Sequence, residues 1–151
     1  MRWIVSIVAA LALLVAPVAQ GSNGGSTDRM SYAQLEKAAN KAIRSGHVYS
    51  HRWGDASPWL KTLCYEMLDR AFAPYGTQAW AKHIVNRESG CNPAAINTTY
   101  SDPCQRATGL SQMIPCVHRW VNYQRVQRDM GYAVAVFVKL SRGGRSTSPW
   151  S

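Results

Sequence analysis

Acidic residues are scarce in this chain of 151 residues, which has eight Asp and Glu against 17 Lys and Arg and a formal net charge of +9. A surface with this balance attracts polyanions. The basic residues do not form one dense run and no nucleic-acid-binding motif is present, so we expect no nucleic-acid partner. For an exported protein, the charge favours an anionic cell wall or membrane surface.

Long apolar runs are also absent, except at the start of the chain. Met1 and Arg2 precede an uncharged apolar stretch over residues 3–15, and Pro17 and small residues around position 20 follow. This order is typical of a signal peptide, and the stretch is shorter than the roughly 20 residues of a membrane span. We predict a signal peptide over residues 1–21, with an uncleaved anchor as the alternative. The mature protein should then be secreted, periplasmic or associated with the cell wall, without stable insertion in a membrane.

No CxxC spacing occurs among the four cysteines, which makes a zinc ribbon improbable. An even number of cysteines in an exported chain predicts two disulfides, and four cysteines allow three pairings. Pairing Cys91 with Cys104 would close a short loop and leave Cys64 to pair with Cys116.

The sequence also lacks a convincing metal-binding pattern. His47 and His51 are four residues apart, but no carboxylate or third histidine lies nearby in a suitable arrangement. Gly54 and Pro58 oppose a long helix that would place the two imidazoles on one face. We therefore expect no metal and no cofactor.

Helical patterns dominate the part of the chain that follows a Gly/Ser/Asn-rich linker at residues 22–30. Capping residues precede three of the patterns. The predicted helices with their caps are residues 32–45 after Ser31, residues 59–71 after Ser57 and Pro58, and residues 78–88 after Thr77.

The chain beyond Gly90 has a different character. Residues 90–108 are rich in turn formers and predict a short strand or hairpin, whereas helical spacing returns at residues 117–124 and 129–141. The length suits one domain, which we assign to residues 31–151. The fold class is therefore α+β and mainly helical, with a small irregular or β excursion.

Glutamates are few, and only one of the three stands out. Glu36 and Glu66 lie mid-helix among polar neighbours, as solvated carboxylates do. Glu88 ends an apolar helix and is followed at once by the turn Ser89-Gly90, so its carboxyl group could project into a cleft. Apolar surroundings favour the protonated form, which is the form that donates a proton to a glycosidic oxygen. Taken alone, a Glu at this position is more often a surface carboxylate at a helix end.

Two segments give Glu88 a context. Residues 84–97 read IVNRESGCNPAAIN and residues 107–115 read ATGLSQMIP. This pair resembles the first two motifs of the lytic transglycosylase family of the lysozyme superfamily, in the family's order. The clear resemblance covers residues 78–116, and the ending Ser148-Pro149-Trp150 is similar to lysozyme-like domains of actinobacterial and phage cell-wall enzymes.

The resemblance implies a lysozyme-like fold with Glu88 as the catalytic acid. It implies that Asn92 and Pro93 shape the turn that aims Glu88, and that residues 109–115 line the opposite wall of the cleft. The family's third motif is missing, and Tyr132 is the nearest candidate for its tyrosine. The residues expected to contact substrate are Ser89, Ser111, Gln112, Met113 and Tyr132.

The implied reaction cleaves the bond between N-acetylmuramic acid and N-acetylglucosamine in peptidoglycan strands, without hydrolysis and by a monomer. Glu88 would act first as acid and then as base, and a 1,6-anhydro ring would form. Hydrolysis with Asp102 as a second carboxylate is the alternative, although Asp102 in Ser-Asp-Pro also suits a turn. Two further alternatives are a non-catalytic wall-binding or assembly protein and a basic, membrane-disrupting protein.

Tryptophan is plentiful, with six in the chain. Its flat apolar face packs well on a pyranose ring and equally well in a protein core. Each Trp is therefore a candidate for either role.

Overall fold

The structure, a computed structural model, describes residues 26–46, 56–148 and 150. The predicted signal peptide and the His47/His51 pair lie outside these residues. No helix among the described residues is long and apolar enough to cross a membrane.

The described chain is mainly helical, as predicted. Three short 3₁₀ turns occur at Thr27–Arg29, Ala73–Tyr75 and Pro103–Gln105. The α-helices are α1 (Tyr32–Arg44), α2 (Pro58–Phe72), α3 (Gln78–Ser89), α4 (Tyr123–Val126) and α5 (Met130–Ser141).

Capping side chains fix the starts of α1 and α2 where the sequence predicts them. The Ser31 hydroxyl accepts from the Gln34 N–H (3.3 Å), and the Gln34 side chain accepts from the Ser31 N–H (2.7 Å). Ser57 accepts from the backbone of α2, which has Pro58 at its first position. Thr77 precedes α3 but does not cap it with its side chain, because its hydroxyl donates to the Gly143 carbonyl (2.7 Å).

Part of the predicted linker contacts α2. Thr27–Arg29 forms a 3₁₀ turn in which Thr27 is buried. Arg70 of α2 donates to the carbonyls of Thr27 and Met30, which ties this turn to the helix. Residues 27–30, which the sequence assigns to the linker, therefore pack on the helical domain.

Helix α2 lies at the centre of the core and packs against α1, α3 and α5. Its inward residues Leu63, Met67 and Phe72 are fully buried. The Phe72 ring lies 5.1 Å from Phe137 of α5, and Phe137 lies 5.6 Å from Trp80 of α3. Apolar contact among these helices holds the end of α3 in place.

The stretch between α3 and α4 is irregular. Two isolated antiparallel bridges, Ile96 with Thr108 and Thr108 with Met113, occur in place of the expected strand or hairpin. The predicted helix at residues 117–124 is wrong for most of its length, because consecutive turns lead to a helix that begins only at Tyr123. Asn122 sets that start by accepting from the Arg125 N–H (2.9 Å).

Both predicted disulfide pairings are wrong. Cys64 bonds to Cys91, with Cα atoms 6.2 Å apart, and Cys104 bonds to Cys116, with Cα atoms 5.0 Å apart. Packing of α2 on α3 brings the middle of α2 to the residue that follows α3, and this tertiary contact leaves no local trace in the sequence. The two disulfides are compatible with an extracellular protein.

Candidate active site

Glu88 lies in the last turn of α3. The helix stops because Gly90 and Cys91 both adopt left-handed backbone conformations, with φ of 56° and 66°. The Glu88 side chain is 23% exposed, so its carboxylate is partly shielded yet open to solvent. The chain thus presents this carboxylate at a helix end, as the sequence predicts.

Arg87 is the immediate partner of Glu88. Its Nε and Nη2 donate to Glu88 Oε1 at 3.0 and 2.8 Å, and Nη2 also donates to the Trp150 carbonyl oxygen at 2.6 Å. The expectation of apolar surroundings is therefore wrong at the carboxylate itself, which contacts a cation. The same guanidinium nitrogen joins Glu88 to Trp150.

Trp150 connects α3 to the second motif. Its ring is 8% exposed and packs edge-on against Phe137 (5.2 Å) and Trp80 (5.9 Å). Its indole N–H donates to the Ser111 carbonyl at 2.8 Å. Trp150 was not among the residues predicted to form the site, although the Ser-Pro-Trp ending was the available signal.

A cavity of about 270 Å³ lies beside Trp150, slightly below the range of about 300–1,000 Å³ typical of small-molecule sites. Three of the predicted substrate-binding residues meet in its wall. The lining residues are Ser111, Gln112, Met113, Ile114, Val117, His118 and Trp150. Glu88 is not among the lining residues, and its link to the cavity wall runs through Arg87 Nη2 and the Trp150 carbonyl.

A tight loop builds this wall. Thr108 and Met113 exchange backbone hydrogen bonds of 2.9 Å, and Gln112 between them has a φ of 51°. The Gln112 amide nitrogen donates to the carbonyls of Ala95 (3.3 Å) and Gly109 (3.0 Å). The loop is thereby fixed, and the Gln112 side-chain oxygen is the group left to contact a ligand.

Ser111 offers a buried hydroxyl to the cavity. The residue is 1% exposed, and its Oγ has no hydrogen-bond partner in the structure. A buried polar atom without a partner is unfavourable by about 1–3 kcal/mol, and a ligand atom in the cavity would satisfy it.

Burial also lowers the pKa of His118, so this lining imidazole is neutral at neutral pH.

Two predicted substrate contacts lie elsewhere. Ser89 is 8% exposed, and its hydroxyl donates to the Val85 carbonyl one turn back (3.2 Å) instead of to the Glu88 carboxylate. The Tyr132 hydroxyl accepts from the Asn122 N–H (3.1 Å), and its ring lies 4.5 Å from the Arg125 guanidinium carbon. Tyr132 is not among the residues that line the cavity.

Asp102 has a structural role. Its carboxylate accepts from the Cys104 N–H at 2.9 Å and caps the 3₁₀ turn Pro103–Gln105. Asp102, Cys104 and Cys116 also lie close enough together to suggest a metal site. The two sulfurs are bonded to each other, however, and a metal requires the free thiolate.

Comparisons of the chain with protein-family models, curated proteins and solved structures give no match. The resemblance to lytic transglycosylases is therefore a hypothesis, and the arguments for it are the motif residues and their arrangement in space.

Proposed function

We propose that this protein is an exported lytic transglycosylase with a lysozyme-like fold, which cleaves peptidoglycan strands with Glu88 as acid and then as base. The two hydrogen bonds of Trp150 are the observation that best supports the proposal. Trp150 shares Arg87 Nη2 with the Glu88 carboxylate and holds the Ser111 carbonyl. Trp150 thus connects Glu88 of the first motif to Ser111 of the second, whose loop lines the cavity.

The cavity offers groups suited to an N-acetyl sugar. The unpartnered Ser111 hydroxyl and the Gln112 side-chain oxygen can hydrogen-bond an amide. Met113 and Trp150 provide apolar surface for a sugar ring or a methyl group. No charged side chain is among the lining residues, which suits a neutral ligand group.

Glu88 would protonate the glycosidic oxygen as the bond to the muramic acid carbon breaks. The neighbouring acetamido group would stabilise the cationic sugar. The Glu88 carboxylate would then take the proton of the 6-hydroxyl as that oxygen closes the 1,6-anhydro ring, which restores the acid. Arg87 already donates to this carboxylate and would stabilise its charge between the two proton transfers.

Hydrolysis through Asp102 receives no support from the geometry, because that carboxylate is exposed and caps a turn. The two reactions give products of different mass, since the anhydro product is lighter by one water.

The test is digestion of peptidoglycan by purified wild-type protein and by Glu88→Gln, with the released fragments weighed by mass spectrometry. We expect anhydro fragments from the wild type and a rate lower by roughly 100- to 10,000-fold in the variant. Glu66→Gln is the matched control, because Glu66 lies on α2 in a pair with Arg70 (3.8 Å). It should retain the wild-type rate.

Three other outcomes would contradict the proposal. Equal rates for wild type and Glu88→Gln would exclude Glu88 as the acid. Ordinary reducing ends would identify a hydrolase. Binding of peptidoglycan without release from several wall types would identify a wall-binding protein.

A further inference from the structure

The wall of the cavity continues beyond the cavity itself. The N–H groups of Val117 and His118 both donate to the Ile114 carbonyl (3.0 and 3.1 Å), and the Val121 N–H donates to His118 (3.0 Å). These consecutive turns carry the chain from the cavity lining to Trp120. Val117 is 65% exposed and Trp120 is 48% exposed, so the wall presents apolar surface to solvent.

A cation accompanies the exposed ring. Lys139 of α5 places its Nζ 4.2 Å from the centroid of the Trp120 ring. Among the described residues no carboxylate pairs with this ammonium group. From residue 103 onward, Asp129 is the sole acidic residue of the sequence, and it is already bonded to Arg125 (2.9 Å). The Lys139 charge is therefore available to a ligand.

We propose that Trp120 and Lys139 form a second binding site, which takes a muramyl residue bearing a peptide stem on the strand that leaves the cavity. The site rests on the proposed function, since it supposes a peptidoglycan strand. The exposed indole provides a flat apolar surface for a pyranose ring. The ammonium group provides three donors for a stem carboxylate.

The combination of Trp120 and Lys139 predicts that the site selects its ligand by both charge and ring shape. Neutral strands of N-acetylglucosamine match the indole but lack the carboxylate, and polyanions without sugar rings match the ammonium but not the indole. Bare electrostatic attraction by a protein of net charge +9 would not depend on Trp120.

The test measures binding to the full chain carrying Glu88→Gln, so that strands are not cleaved. The ligands are glycan fragments with peptide stems and chitin oligosaccharides of equal length, which carry no carboxylate. Calorimetry should give about tenfold tighter binding to the stem-bearing fragments, which corresponds to about 1.4 kcal/mol. Polyphosphate, a polyanion without sugar rings, serves as the charge-only ligand.

Added to this background, Trp120→Ala should weaken binding of both glycans, whereas Lys139→Gln should weaken only the stem-bearing one, each by about tenfold. Trp120→Phe keeps a flat ring and should retain most of the affinity. The matched controls are Trp59→Ala, at an indole 38% exposed on α2, and Lys37→Gln, at an exposed position on α1. Both should bind as the parent does, and circular dichroism checks that each variant folds.

Equal affinity for glycans with and without stems would overturn the proposal, as would equal losses in the Trp120 and Trp59 variants. Polyphosphate binding that falls as much as glycan binding in Lys139→Gln would reduce the site to a general polyanion surface, and failure to bind any glycan would also refute it. The cleavage assay is separate from these measurements. If the wild type cleaves nothing while stem-dependent binding holds, the enzyme proposal fails and the binding site stands.

Discussion

Gly109 is the residue at which the cavity loop approaches the core most tightly. Its φ is 85°, and a Cβ atom built there would lie 2.5 Å from Val126 Cγ1 of α4 and 3.8 Å from the Pro93 carbonyl oxygen. A side chain at this position therefore meets both a backbone penalty and a clash. The Gly109 carbonyl also accepts from the Gln112 side chain, so a shift here would move the cavity wall.

We expect Gly109→Ala to lower the free energy of unfolding by about 1–2 kcal/mol for the left-handed backbone and by a further 1–3 kcal/mol or so for overpacking. Gly46→Ala is the matched control, because Gly46 has a φ of 75° but, among the described residues, no atom lies within 4 Å of the added methyl. Urea unfolding of both variants isolates the clash as their difference. Equal losses would show that Val126 yields without strain.

For single residues, the sequence predicts which residues belong to the site better than it predicts where their side chains point. Ser111, Gln112 and Met113, which the motifs singled out as substrate contacts, line one cavity, because a short loop keeps residues adjacent in sequence together in space. The direction of the Ser89 hydroxyl depends on which acceptor is nearest, and the Val85 carbonyl of its own helix is within reach. The role of Trp150 depends on Arg87 and Ser111, both far away in sequence.

At the scale of the element, the start of a helix is predictable when the capping partner is close in sequence. Ser31 is bonded to Gln34 three residues later, and Ser57 to the first turn of α2, so the sequence contains both partners side by side. Thr77 bonds instead to Gly143, 66 residues away. The spacing at residues 117–124 looked helical, but no cap precedes it, and Asn122 sets the start of α4 later.

The junction of α1 with α5 is held by Asn40. Its side-chain oxygen accepts from the Met130 N–H (2.7 Å), and its amide nitrogen donates to Asp129 (3.4 Å). Burial alone would raise the pKa of Asp129, but hydrogen bonds from the Tyr132 N–H, Arg125 and Asn40 outweigh burial and hold the pKa below its usual value. Asp129 therefore stays ionised at the start of α5.

Glu36 of α1 faces this carboxylate, so its assignment as a simple solvated side chain is wrong. Partial burial raises its pKa above the usual 4.5, and the charge of Asp129 and a hydrogen bond with it raise the pKa further, against an opposing effect of Arg125. Burial, with the charges of Glu36 and Asp129, raises the pKa of the adjacent Tyr32 to about 12. Tyr32 is therefore neutral at any pH at which the two acids titrate.

The raised pKa of Glu36 predicts that stability falls as the pH rises above 4.5, because the folded protein retains a proton that the unfolded chain has released. The lowered pKa of Asp129 contributes stability above 3.8, which is lost as the pH falls through the folded pKa. We expect Glu36→Gln to remove the fall in stability above pH 4.5 and to keep the fall in stability at low pH that Asp129 causes.

Urea unfolding between about pH 3 and pH 7 measures both arms of this dependence. Glu66→Gln makes the same charge change on α2, next to Arg70 and away from Asp129. If the Glu36 and Glu66 variants show the same pH dependence, the carboxyl pair at the α1–α5 junction does not control stability.

For the whole molecule, the helical class and the presence of two disulfides followed from the sequence, whereas the pairing of the cysteines did not. Loop length alone favoured joining Cys91 to Cys104, since the two are close in sequence. The packing of α2 against α3 decides the pairing, and it places Cys64 and Cys91 together in the core, where both are fully buried. Long-range contacts of this kind are set by the sum of apolar burial over several helices.

The two disulfides should therefore differ in exposure and in contribution to stability. The Cys64–Cys91 bond joins residues 27 apart, and the Cys104–Cys116 bond joins residues 12 apart. Chain entropy gives about 3.6 kcal/mol for the longer loop and about 2.9 kcal/mol for the shorter one. Replacing Cys64 and Cys91 by Ala also leaves unfilled space in the core, so this double variant should lose more stability than Cys104→Ala/Cys116→Ala.

Limited reduction of the native protein tests the exposure directly. Cys104 is exposed and Cys116 half-buried, so a dilute thiol should open their bond first and leave Cys64–Cys91 intact. Alkylation followed by peptide mass spectrometry identifies which cysteines have reacted. Early labelling of Cys64 or Cys91, or a peptide joining Cys91 to Cys104 in the unreduced protein, would contradict the packing of α2 on α3.

Because Cys116 precedes the wall that leads to Trp120, selective reduction of the Cys104–Cys116 bond should also weaken binding of stem-bearing glycans before the protein unfolds.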